Sequence, residues 1–320
     1  MVGVAAIVGG LLGYGVGHIE TAVKKWQFVF LICGGFTVLW SVVVFLWLPD
    51  TPLNAKFLSD RERAVAIERV RQNRTGIKST EFKWSQVAEA FRDPQVWIFA
   101  FYQGISMMLN IGGSFLPLII RDMDFTGIQT TLLTLPVGAV ECVAMVVAGA
   151  LSSWWGDRGR CAVMLIIGTP TLVGCIMLKA LPQSATWARV SAVWLLVCIP
   201  AACAILLSLI ASNVAGTTKK TTTMLFCFVM FCVGNIASPQ LFISHEAPRY
   251  ETGLRAMLVA MALCMGLTAL IWAYYMYENR RRDRILTAMS QEELDLMAQD
   301  NEEFMDKTDC EDSLRFRYKW

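Results

Sequence analysis

Eight apolar runs of roughly twenty residues limit what this chain can become. A helix rises about 1.5 Å per residue, so crossing roughly 30 Å of hydrocarbon takes about 20 apolar residues. The runs extend from Val2 to Gly17, Phe28 to Leu48, Val96 to Ile120, Thr131 to Leu151, Ala162 to Leu181, Val190 to Ala211, Met224 to Ile243 and Leu254 to Tyr277. A soluble domain of 320 residues needs no such series, nor a composition with 55% hydrophobic and 17% charged residues and a mean hydropathy of +0.49. The expected fold class is all-α, a polytopic membrane protein with about eight transmembrane helices. The first run is short and starts at Met1, where a secretory signal would lie. No basic residue precedes it, however, and its end, GLLGYGVGH, makes a poor cleavage site.

The loops between the runs alternate in charge. Lys56 to Arg92, Arg158 with Arg160, Lys219 with Lys220, and everything from Arg280 onward hold 21 basic residues; the other loops hold 7. Lys and Arg collect on the cytoplasmic side, which places the first set and both termini there. The overall balance, 28 basic against 26 acidic, suggests no nucleic-acid partner. The partner that the composition requires is the lipid bilayer.

Nine of the ten cysteines lie in or beside apolar runs, and Cys310 falls in a cytoplasmic tail, so no disulfide framework is expected. No cysteine pair has metal-ligand spacing with a histidine nearby. With His18 and His245 as the chain's two histidines, an enzyme has little to work with, and neither metal nor cofactor is expected.

The runs are grouped two and six. Residues 1–48 hold two, 49–94 form a charged loop, 95–277 hold six, and 278–320 form an acidic tail. In the loop, Ser59 and Glu62 make a capping-box pattern opening a basic amphipathic helix that ends near Gly76. In the tail, Ser290 and Glu293 repeat that pattern, which predicts a solvated helix followed by disorder. Six helices after a long loop have the size of one half of a transporter built from two six-helix repeats.

Four stretches sharpen this reading: LPDTPLNAKFLSDRERAVAIERVRQNRTGIK at Leu48 to Lys78, SNVAGTTKKTTT at Ser212 to Thr223, GNIASPQLFISHEAPRYETG at Gly234 to Gly253, and ENRRRDR at Glu278 to Arg284. With them the chain resembles the major facilitator superfamily, and within it the fungal allantoate permease family of anion:cation symporters. The resemblance implies a twelve-helix transporter of which this chain would begin at the fifth helix, lacking about four. It implies a plasma-membrane carrier of small organic anions, such as an ureide, a vitamin or a related carboxylate, moved together with H⁺ as the two halves rock. The alternative is a nutrient sensor or partner protein that does not transport and signals through its tail.

Polar groups inside hydrocarbon are costly and mark candidate sites. Glu141 sits mid-run with Thr134, Gly138 and Met145 on one helix face, suited either to proton coupling or substrate contact, or to a hydrogen-bonded place between helices. Gln103, Ser106 or Met107, Asn110 and Ser114 form a polar stripe suited to a watery cavity. In GNIASPQ, Pro239 frees a backbone carbonyl beside Asn235 and Gln240, and Asn235 is the stronger candidate because Gln240 lies about 140° around the helix. Gly9, Gly13 and Gly17 form a smooth face for close helix packing. WWGDRGRC resembles a shortened form of the superfamily's cytoplasmic gating motif, in which Asp157 would cap a helix end or pair with Arg158 or Arg160; the alternative is simple positive-inside anchoring by the two arginines. Lys219 and Lys220 would hold their turn at the inner headgroups, at the mouth of the same gate. The runs lack a clear cation to meet an organic anion; Arg121, Lys179, Arg189, Arg249 and Arg255 all lie near the outer ends, where they would attract anions or snorkel to the interface.

Overall fold

The computed structural model describes residues 2–18, 24–49, 55, 57–72, 82–109, 127–246, 250–289, 306–311, 314 and 316–320. Within them the chain is helical, with α1 Val2–Gly17, α2 Lys25–Trp47, α3 Asp60–Gln72, α4 Trp84–Arg92, α5 Pro94–Met107, α6 Gly127–Trp155, α7 Arg160–Ala180, α8 Thr186–Leu196, α9 Ile199–Asn213, α10 Thr217–Ala237 and α11 Glu251–Ala288. Six stretches are long and apolar enough to cross a bilayer: Trp26–Trp47, Leu135–Arg158, Arg160–Ala180, Thr186–Asn213, Thr217–Leu241 and Glu251–Ala288. The first apolar run forms α1, at 16 residues a short helix. The third is described over the 14 residues of α5, and its remainder lies outside the described residues. The fold is that of a polytopic, all-helical integral membrane protein.

Local sequence explains where several elements begin and end. Ser59 and Glu62 make the expected capping box, with the Ser59 N–H donating to Glu62 Oε2 at 2.9 Å and the Glu62 N–H to Ser59 Oγ at 3.4 Å. Pro94 opens α5, where a missing N–H costs nothing, and Asp93 caps it by accepting from the Gln95 N–H at 3.1 Å. The run from Val190 to Ala211, expected as one helix, is two. Pro200 cannot donate to the Leu196 carbonyl, and the chain turns at Val197 and Cys198 before α9 begins. The buried Thr171 hydroxyl approaches the carbonyls left open, at 3.4 Å from Leu195 O and 3.5 Å from Leu196 O.

The core lies among α5, α7, α9, α10 and α11, where Phe99, Leu206, Leu209, Met257, Ile271 and Tyr275 are fully buried. α10 packs on α5 through Gly234, whose absent Cβ would press on the Gly104 carbonyl and come within 2.8 Å of Met107 Cβ. α1 packs on α6. This packing corrects the expectation for the glycine face of α1. Among the described residues a Cβ at Gly9, Gly13 or Gly17 would meet nothing within 4 Å, whereas one at Gly3 would lie 2.5 Å from the Gly138 carbonyl and one at Gly10 would lie 2.9 Å from Leu135 Cδ2. Three glycines at regular spacing make a smooth face; the neighbouring helix lies along a different one. The span of α2 is wholly unburied among the described residues.

Candidate functional site

The most elaborate polar arrangement lies at one end of the bundle, centred on Lys219 at the start of α10. Gly216 precedes that helix with φ +86°, a conformation open to glycine, and carries no side chain to cap it. The cap comes from elsewhere in the chain. Gln86 of α4 accepts from the Thr218 and Lys219 N–H groups at 3.1 and 3.2 Å, and Asp306 accepts from the Thr217 N–H at 2.6 Å. This capped turn directs the Lys219 side chain into the protein.

The Lys219 amine has no solvent exposure and lies 2.8 Å from Asp93 Oδ2, 2.8 Å from Asp309 Oδ1 and 3.0 Å from Glu89 Oε1. Asp309, equally buried, also accepts from Gln95 Nε2 at 3.0 Å, the Tyr318 hydroxyl at 2.8 Å and the Ala215 N–H at 3.3 Å. Buried charges survive only when paired and fully hydrogen-bonded, and this group meets both conditions. Burial pushes the Glu89 carboxyl up, but hydrogen bonds from Lys219 and Thr308 outweigh it and leave its pKa below the usual carboxylate value. Burial, and after it the Asp309 charge, push the Cys310 thiol up to about 12, so a neutral thiol sits 3.5 Å from the amine. The same two causes raise the Tyr318 hydroxyl, which therefore remains a donor to Asp309.

The headgroup reading of Lys219 is thus corrected. Its three carboxylates come from the start of α5, from α4 and from a segment near the C-terminus, none adjacent in sequence. Lys220 Nζ donates to the Ala211 carbonyl at 2.9 Å, closing the end of α9. The expectation of a solvated tail is corrected over its last residues, since Thr308, Asp309 and Tyr318 are buried; residues 290–305 lie outside the described residues.

The Asp157 group stands at the same end. Arg160 reaches Asp157 Oδ1 at 3.4 Å and Ser212 Oγ at 2.6 Å, while Lys319 pairs with Asp157 Oδ2 at 3.0 Å. Arg158 sits 5.9 Å over the Trp320 ring. Lys319 and Trp320 are partners that no spacing rule could have supplied.

The expected cavity residues differ in burial. Gln103 is 8% exposed, and its Oε1 is buried without a hydrogen-bond partner among the described residues. Its neighbour Ser106 is fully buried, donating to the Gln103 carbonyl at 2.9 Å and lying 3.4 Å from Cys203 Sγ. Glu141 is buried on the α6 face that carries Val137, Gly138 and Ala144. Asn235 and Gln240 are exposed, and Asn235 Nδ2 donates to the Phe231 carbonyl of its own helix at 2.9 Å. Asn110 and Ser114 lie outside the described residues. At the other end of α7, a cavity of about 290 Å³ gathers Lys179, Arg189, Arg255 and Glu251, with Arg255 bonded to Glu251 at 2.7 Å. Arg121 and Arg249 lie outside the described residues.

The Major Facilitator Superfamily model matches residues 1–239. An uncharacterized transporter of Schizosaccharomyces pombe is 42% identical over 319 residues, covering 99% of this chain and 60% of the relative. The Allantoate permease of Saccharomyces cerevisiae is 31% identical over 328 residues, and the thiamine pathway transporter of the same yeast 32% identical over 321; each alignment covers 99% of this chain and 59% of the relative. The chain therefore spans about 60% of the length of these curated relatives. All of them are named as transporters, not enzymes.

Proposed function

Because this chain belongs to the Major Facilitator Superfamily, we propose that it forms the larger part of a transmembrane transporter for a small organic anion, working by alternating access. The observation that carries the reading is its 31% identity, across 99% of its length, to a relative named Allantoate permease. In this reading, residues 1–48 and 95–277 belong to two halves joined by the 49–94 loop. The termini, the Asp157–Arg158–Arg160 group and the end of the bundle that buries Lys219 lie on the cytoplasmic side of a plasma-membrane carrier.

The substrate and coupling cavity is assigned to Gln103, Asn110 and Glu141, with Asn235 and Gln240 at its rim. Supporting it are the Oε1 of Gln103, a buried acceptor with no partner among the described residues that a polar ligand or water would satisfy, and the burial of Glu141. A proton taken up by Glu141 would bias the equilibrium between the outward and inward states, which is what symport requires. The cations around the cavity at the other end of α7 would draw organic anions toward the outer mouth.

Uptake of labelled allantoate and related carboxylates is the test. It compares cells expressing this chain with cells expressing a chimera that adds the portion of the S. pombe relative this chain does not match. Acid-stimulated uptake by the chimera, abolished in Glu141→Gln, is expected. No uptake by either, with signalling that depends on residues 278–320, would replace the transporter by the sensor.

A further inference from the structure

Residues 306–320 meet the rest of the chain as a bound peptide meets its receptor. The stretch from Phe316 to Trp320 has no helix or strand of its own, and its main chain is read by two buried asparagines. Asn213 Nδ2 donates to the Lys319 carbonyl at 2.7 Å while its Oδ1 accepts from the Lys319 N–H at 2.8 Å. Asn279 treats Tyr318 the same way, at 2.9 and 3.1 Å. A side-chain amide that satisfies both the N–H and the C=O of one residue replaces the strand partner an extended peptide lacks. The Arg160 N–H then takes the Trp320 carbonyl at 3.0 Å.

Two side chains add sequence selectivity to this main-chain recognition. Tyr318 stacks on Tyr275 with centroids 4.8 Å apart and planes at 21°, while the Arg282 guanidinium lies 4.4 Å over its ring. Nine positions earlier, Asp309 enters the pocket of Lys219, Gln95 and the Ala215 N–H. The receptor side is drawn from α4 and α5, the start of α7, the α9–α10 turn and α11. Residues 290–305 separate Met289, which follows α11, from this segment in sequence, and a fully extended chain of that length spans about 50 Å.

We propose that this end of the bundle is a peptide-binding groove, occupied in cis by the protein's own residues 306–320 and selective for a peptide that carries a carboxylate, at a turn, nine positions ahead of a tyrosine in an extended end. The occupant ties together six helices, and its departure frees them to move separately. Tethering supplies an effective concentration of order millimolar, so a competing peptide displaces the segment only in excess or after the tether is cut.

The test uses the full chain in lipid nanodiscs with a protease site placed within residues 290–305. After cleavage the segment is expected to stay with the protein through gel filtration. A fluorescent synthetic peptide of residues 306–320, added in excess, is expected to replace it with a rise in anisotropy. Peptides carrying Asp309→Lys or Tyr318→Ala should compete at least tenfold less well, and because these changes sit in the peptide they leave the folding of the receptor untouched. Loss of the segment on the first column, failure of any excess of peptide to displace it, or equal replacement by a scrambled peptide would each overturn the proposal.

Discussion

Replacing Lys219 by methionine isolates the electrostatics of the buried centre. The substitution keeps most of the side-chain volume and removes the ammonium facing Asp93, Asp309 and Glu89. Breaking a buried ion pair from one side costs about 3–5 kcal/mol, because the abandoned charge stays buried. Here the lower end of that range is expected. Asp309 keeps Gln95, Tyr318 and the Ala215 N–H, Asp93 keeps both donors of Gln95, and Glu89, whose side chain is 23% exposed, can turn to water. Adding Asp309→Asn removes one abandoned charge, so the double variant should recover about 1–2 kcal/mol relative to additivity. Reversible chemical unfolding in bicelles, followed by fluorescence of the chain's 11 tryptophans, measures both quantities. A loss for Lys219→Met within about 0.5 kcal/mol of wild type, the scale of surface substitutions, or strict additivity in the cycle, would refute a buried and coupled centre.

Three further outcomes follow from the same structure. The Glu89 carboxyl has a folded-state pKa below its unfolded one, so its contribution to stability is present above about pH 4.3 and is lost as pH falls through the lowered value; unfolding midpoints from pH 7 to 3 should show that loss, and Glu89→Gln should flatten it. Gly234→Ala forces a methyl against the Gly104 carbonyl and should cost about 1–3 kcal/mol, while Gly149→Ala, which meets nothing within 4 Å among the described residues, should be neutral or slightly stabilising in the same assay. Thr171→Val withdraws the hydroxyl beside the Leu195 and Leu196 carbonyls, and a loss of about 1–2 kcal/mol is expected; no loss would mean the break before α9 needs no such donor.

Much of the architecture follows from one-dimensional pattern. Apolar runs of about 20 residues can do little in a bilayer but form helices, because an unpaired backbone group there has no water to turn to. The capping box at Ser59 and the Asp93–Pro94 start of α5 are equally local, since their partners lie within three residues. Pro200 was visible too, and the division of its run into α8 and α9 was open to the same reasoning that was applied to Pro239.

Pairing across the fold was not visible. Lys219 sits in a polar stretch between apolar runs, and composition there reads as a surface turn. Its burial depends on carboxylates 126 and 90 positions away, at Asp93 and Asp309, that only the folded chain brings within 3 Å. The acidic tail reads as solvated because local sequence offers its charges no partner, and the glycine face of α1 reads as a contact because smoothness is local while the position of a neighbour is not. Sequence by itself determined that the chain is a bundle of membrane helices and which family it resembles, since both depend on the order of residue types along the chain. Which lysine is buried, which glycines touch and where residues 306–320 rest were decided by tertiary structure, because the energy of a buried charge depends on partners whose distance in space bears no relation to their distance in sequence.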